Sequence, residues 1–83
     1  MQTNKNINLQ YFAIFREKAG RPSESIQTLA DTPGDLYHEL AERYGFSLSA
    51  KHIRVAVNDE FSQMDASLNN GDTIAFIPPV SGG

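Results

Sequence analysis

The residues best suited to chemistry stand at the end of the chain, where Val80, Ser81, Gly82 and Gly83 follow Pro78 and Pro79. The chemistry they suggest is presentation of a terminal carboxylate. Glycine has no Cβ, so the backbone of Gly82 and Gly83 can thread a slot that any other residue would block. The prolines lack N–H donors and hold φ near one value, so sheet pairing should stop there and residues 79–83 should leave as an extended tail. A frayed terminus is the plain alternative. At a glycine usage of about 7%, two terminal glycines arise by chance in about 0.5% of chains, which favours a purpose.

The other reactive side chains do not converge. His38 and His52 are far apart in sequence and lack a partner at metal-ligand spacing. Asp65 and Asp72 read as loop and turn residues rather than a carboxylate pair. Gly82 and Gly83 have no helix after them to supply anion-binding amides. Cysteine is absent, which excludes a persulfide carrier, a thiol nucleophile, a CxxC redox pair and thiolate metal sites. The chain therefore reads as non-catalytic on its own, with no metal and no bound cofactor.

Eighty-three residues with 40% hydrophobic content make one domain, 1–83, held by packing alone. The net charge of −3 argues against nucleic-acid binding, and the loose cluster Arg16, Lys18 and Arg21 reads as a solvated loop. No stretch approaches a membrane span and the N-terminus lacks an apolar leader, so a soluble cytoplasmic protein is expected.

Met1–Asn6 is polar and expected to fray. Ile7–Ile14 alternates, with Ile7, Leu9, Tyr11 and Ala13 on one face, which predicts a strand. Phe15–Pro22 reads as a loop or short helical turn broken by Gly20 and Pro22, and Ser25–Leu29 as a returning strand. Thr32, Pro33 and Asp35 form a helix start, Leu36, Tyr37, Leu40, Ala41 and Tyr44 an apolar stripe, and Gly45 a left-handed stop. Ile53–Val57 alternates again, Asn58-Asp59-Glu60 turns, and Phe61 starts a short partner segment. Asn69-Asn70-Gly71-Asp72 marks a turn before Thr73–Ile77, a strand apolar on both faces and so expected mid-sheet or with one face covered by a partner. The order predicts an α+β domain: a mixed sheet of about four to five strands packed on one main helix, with the β-grasp (ubiquitin-like) arrangement fitting element order and size.

Three stretches carry a resemblance to the small, sulfur-carrying subunits of molybdopterin synthase. They are Tyr11-Phe12-Ala13 with Arg16-Glu17 and Gly20; Leu68 with Asn70-Gly71-Asp72; and Phe76-Ile77-Pro78-Pro79-Val80-Ser81-Gly82-Gly83. The likeness spans about Ile7 to Gly83, with Met1–Asn6 and the motif-poor Ser23–Leu48 as departures. It implies that a ubiquitin-activating-like adenylyltransferase uses ATP to adenylate the Gly83 carboxylate. A sulfur donor, such as a cysteine desulfurase or rhodanese-like protein, then displaces AMP to leave a thiocarboxylate. The tail would enter a large subunit, in an expected heterotetramer, and give sulfur to cyclic pyranopterin monophosphate to build the molybdopterin dithiolene. Gly83 would carry the cargo, Gly82 give clearance, and Ser81 and Val80 guide the tail.

Phe12, Phe76, Pro78 and Pro79 are candidate partner contacts at the base of the tail, since aromatics dominate interface energetics. Phe12 reads equally as core, and Phe76 more readily as core than as a contact. Two other functions fit the same residues: a β-grasp sulfur carrier for thiamine thiazole synthesis or an archaeal protein-modifying relative, and a non-carrying interaction module in which the diglycine is incidental.

Overall fold

A computed structural model describes residues 4–79. Five strands form one mixed sheet in the order β2-β1-β5-β3-β4. The strands are β1 (Lys5–Tyr11), β2 (Ser23–Thr28), β3 (Arg54–Val57), β4 (Glu60–Ser62) and β5 (Thr73–Ile77). Helix α1 (Ala13–Ala19) follows β1, helix α2 (Pro33–Tyr44) follows β2, and a single 3-10 turn, Ala50–His52, precedes β3. No helix among the described residues is long and apolar enough to cross a membrane.

Strand β1 pairs antiparallel with β2 and parallel with β5, with Tyr11 opposite Phe76. Strand β5 pairs antiparallel with β3, with Arg54 opposite Ile77. The last strand therefore lies in the middle of the sheet, which accounts for its apolar character on both faces: Ile74, Ala75 and Phe76 are all buried. This is the β-grasp arrangement expected from the element order.

Helix α2 forms as its end signals dictate. The Thr32 hydroxyl accepts from the Asp35 N–H at 3.1 Å, Pro33 occupies the first turn, and Gly45 at φ 77° closes the helix by donating to the Ala41 carbonyl at 2.8 Å. Its buried stripe of Leu36, Tyr37 and Leu40 joins one core with Ile7, Leu9, Val55, Ile74 and Phe76.

Two expectations at the ends of β1 fail, each for a tertiary reason. Fraying through Asn6 does not hold for Lys5 and Asn6. The Asn6 N–H donates to Asn70 Oδ1 and its carbonyl accepts from the Gly71 N–H, both at 2.7 Å, while Lys5 Nζ donates to the Ala30 carbonyl at 3.0 Å. At the other end the strand stops at Tyr11 rather than Ile14. Ala13 turns to φ 51° and is exposed, and of the two readings for the segment that follows, loop or short helical turn, the helical one holds, with α1 starting two residues earlier, at Ala13. Phe15 and Ala19, one helical turn apart, are pulled into the core, with Phe15 1% exposed. Burying a Phe contributes about 2–3 kcal/mol, enough to decide a seven-residue segment that would be marginal as an isolated helix.

The carboxylates at turns and in the sheet are structural. Asp72 accepts from Asn58 Nδ2 at 3.0 Å and from the Asn69 N–H at 2.9 Å. Glu24 on β2 accepts from both the Tyr11 and Tyr44 hydroxyls and pairs with Arg21 at 3.5 Å. This cluster ties β1, β2 and the end of α2 together beside the last residue of β1.

Candidate functional site

The parallel pairing of β1 with β5 sends both strands out at the same end of the sheet, so Phe12 and Ala13 come to lie beside Ile77, Pro78 and Pro79. These five residues line an almost wholly apolar groove of about 440 Å³. On the other flank, the antiparallel β3 brings His52 and Arg54 to the same place. With Phe61 they face Ile77, Pro78 and Pro79 across a second groove of about 400 Å³. The base of the tail thus runs between two apolar walls. The tail residues Val80, Ser81, Gly82 and Gly83 lie outside the described residues.

Register decides what faces out. Val55 and Phe76 are opposite one another and buried, so their chain neighbours Arg54 and Ile77 fall on the open face. Phe61 pairs with Ala56 and is 68% exposed. The Arg54 guanidinium sits 5.5 Å from the centre of the Phe61 ring, within cation–π range. An aromatic this exposed on a three-residue edge strand is costly to solvate and adds nothing to the core.

The four candidate contacts therefore separate. Phe12 is 48% exposed, Pro78 half-buried and Pro79 exposed, all at the groove. Phe76 is corrected: it is 0% exposed, with its ring centroid 5.4 Å from that of Tyr37, and has no surface to offer a partner. Phe61 was not among the sequence candidates. The signal existed, since Phe61 stands alone among polar residues with no alternating apolar neighbour to place it in a core.

Among the described residues no cluster of three His, Cys, Asp or Glu could hold a metal. His38 and His52 are both exposed and belong to different elements. The strongest electrostatic perturbation lies behind the site, in the cluster of Tyr11, Tyr44 and Glu24. Burial pushes the Glu24 carboxyl up, but the hydroxyls of Tyr11 and Tyr44, aided by Arg21 and Arg43, outweigh this and hold it below the usual carboxylate range. Burial, and then the Glu24 carboxylate, push the Tyr11 phenol up in turn. The cluster fixes the end of β1 from which Phe12 projects.

Comparison with known proteins places this geometry. The model of the ThiS family matches residues 9–83. A Haemophilus influenzae protein named molybdopterin synthase sulfur carrier subunit is 30% identical over 80 residues, covering 93% of this chain and 99% of that protein. The crystal structure of SAMP1 from Haloferax volcanii superposes with a TM-score of 0.75 at 28% identity, over 94% of this chain and 99% of that one. A Helicobacter pylori structure, a complex of subunits 1 and 2 of molybdopterin-converting factor, superposes with a TM-score of 0.61 at 25% identity, over 94% and 99%.

Proposed function

This chain belongs to the ThiS family, and we propose that it works as the sulfur-carrier subunit of a molybdopterin synthase. The observation that carries the reading is the match to a carrier subunit over 93% of this chain and 99% of the relative, in a protein ending in diglycine. The fold supports it by launching the tail from the central strand between two apolar walls.

A carboxylate is a poor electrophile. An adenylating enzyme joins the Gly83 carboxylate to the α-phosphate of ATP with loss of pyrophosphate, and a sulfur nucleophile then expels AMP to leave a thiocarboxylate. The large subunit receives the tail, the sulfur passes to a pterin precursor with return of the Gly83 carboxylate, and two such transfers build the dithiolene. This chain supplies no general acid or base: Gly83 carries the sulfur, Gly82 gives clearance, Ser81 and Val80 guide the tail, and Phe12, Phe61, Pro78 and Pro79 dock the base. ATP belongs to the activating enzyme, and the cytoplasm is the compartment that holds such partners.

The test is the intact mass after incubation with a candidate activating enzyme, ATP and a sulfur source. Replacement of one oxygen by sulfur, mapped to the peptide ending at Gly83, is the expected result. No change, with the enzyme active on another carrier, overturns the reading. A second reading, attachment of the terminus to other proteins as a modifier, is favoured by the likeness to the small archaeal modifier protein 1 of H. volcanii. It would show as isopeptide-linked diglycine remnants on cellular lysines.

A further inference from the structure

The seven Lys and Arg residues divide sharply by position. Lys5, Arg21 and Arg43 are each committed to an ion pair, with Asp31, Glu24 and Glu39. Arg16, Lys18, Lys51 and Arg54 are exposed and make no ion pair among the described residues. All four uncommitted cations lie at the tail-bearing end. Arg16 and Lys18 are on α1, which leaves the end of β1 on one side of the tail. Lys51 and Arg54 are on the 3-10 turn and the start of β3, on the other side. Glu17 is the one acidic residue on those three elements.

The opposite end carries the reverse charge. Asp59 and Glu60 sit at the β3–β4 turn, Asp72 at the turn into β5, and Asp31 and Asp35 around the start of α2. Asp65 lies in the loop that packs there, since Met64 accepts from the Gly34 N–H at 2.8 Å. A protein of net charge −3 is thus polarised, with its uncommitted cations around the tail, where Glu17 and, near the end of α2, Glu42 offset them in part, while Lys5 offsets Asp31 at the opposite end. Exposed Phe12 and the prolines at the base of the tail stand between the two cation pairs, with exposed Phe61 on the edge strand beyond Arg54, so the end combines an apolar centre with a cationic rim. Apolar centre and charged rim is the anatomy of a protein-binding face.

We infer that the tail-bearing end is an electrostatically steered docking face, whose partner is a protein with an apolar, tail-receiving mouth rimmed by carboxylates. The inference rests on the carrier reading and adds the chemistry of the partner's rim. Charge complementarity selects this occupant. A nucleic acid would meet four cations on a body of net negative charge, and stacking the aromatics on bases would leave the prolines unused. Rim charges act mainly on encounter, by orienting the carrier tail-first before the apolar surfaces meet. Arg54, stacked on Phe61, belongs to both rim and centre; Lys18 and Lys51 belong to the rim alone.

The test measures association of the full chain with the molybdopterin synthase large subunit from the same source by stopped-flow fluorescence. It compares about 0.01 M with about 1 M salt, where screening lengths are about 30 Å and 3 Å. The double variant Lys18→Glu, Lys51→Glu is expected to associate about tenfold more slowly at low salt and within about twofold of the native chain at high salt. A four-site swap that adds Glu60→Lys and Asp65→Lys restores the net charge of −3 but abolishes the polarity, and the same tenfold slowing is expected. Recovery of the native rate in the swap would assign the effect to net charge and overturn the inference. So would native-like, salt-insensitive association of the double variant, while leaving the carrier reading intact. Absence of binding by the native chain at both salt concentrations would sink the reading and the inference together. Tight binding of single-stranded DNA with the same variant sensitivity would give the cations to phosphates instead. Unchanged thermal midpoints confirm that each variant folds.

Discussion

The two ends of the sheet are built by opposite rules. At the end where β5 begins, polar groups are consumed internally: Asp72 by Asn58 and Asn69, the Asn6 backbone by Asn70 and Gly71, Lys5 by Ala30 and Asp31. At the end where β5 leaves, two phenylalanines are held in water and four cations have no ion-pair partner among the described residues. Groups satisfied within the chain stabilise it and leave nothing for a partner. Groups left open do the reverse, so substitutions at the two ends should separate stability from docking.

The largest effect tests the open end. Removing Gly82 and Gly83 should abolish thiocarboxylate formation, read by intact mass, while the thermal midpoint stays unchanged. A loss of stability comparable to a core substitution would break the contrast. Next, Phe15→Ala should cost about 3–5 kcal/mol in denaturant unfolding, because that ring is fully enclosed by Tyr37 and Phe46. Phe61→Ala should instead leave stability within about 0.5 kcal/mol. It should weaken large-subunit binding by about 2 kcal/mol, as an interface anchor does, measured by calorimetry.

At the closed end, Asp72→Ala should destabilise by about 1.5–3 kcal/mol, since it removes charge-assisted bonds to Asn58 and the Asn69 N–H. Glu24 sharpens the comparison from behind the site. Its folded pKa is depressed, so its contribution is fully present above the unfolded carboxyl value of about 4.3 and is lost as pH falls through the lower folded value. Glu24→Gln should therefore flatten the acid side of the stability–pH profile, and an unaltered slope there would show that the tyrosine pair does not govern it. The smallest effect falls at Ala13. Its φ of 51° strains any side chain, and Ala13→Gly should raise stability by about 0.5 kcal/mol once glycine's own entropy cost is set against the relief.

Helix α2 was legible residue by residue, because Thr32, Pro33 and Gly45 act within a turn of the positions they control. The central place of β5 was legible too, from apolar side chains on both of its faces. Helix α1 was legible only in part, as a loop or short helical turn, although Phe15, Ala19 and Gly20 carry a helical period and stop. Its seven residues hold no stable helix until the core takes the Phe15 ring. Of the site, the diglycine, Phe12 and the two prolines stood out in the sequence, whereas Phe76 turned inward and Phe61 outward. Neither direction follows from composition, since each depends on register with β3.

By itself, then, the sequence determined what local chemistry can settle: which segments cap, alternate or turn, the absence of cysteine, and the two glycines at positions 82 and 83. The tertiary structure decided what depends on pairs distant along the chain. Asn6 became a strand residue through contacts 64 positions away, Glu24 became a half-buried anchor through Tyr44, and scattered cations came to one end when β1 and β3 met across β5. The physical reason is the same in each case. A side chain's partner and solvent exposure are set by which strands lie beside it, and that is fixed only when the whole core closes.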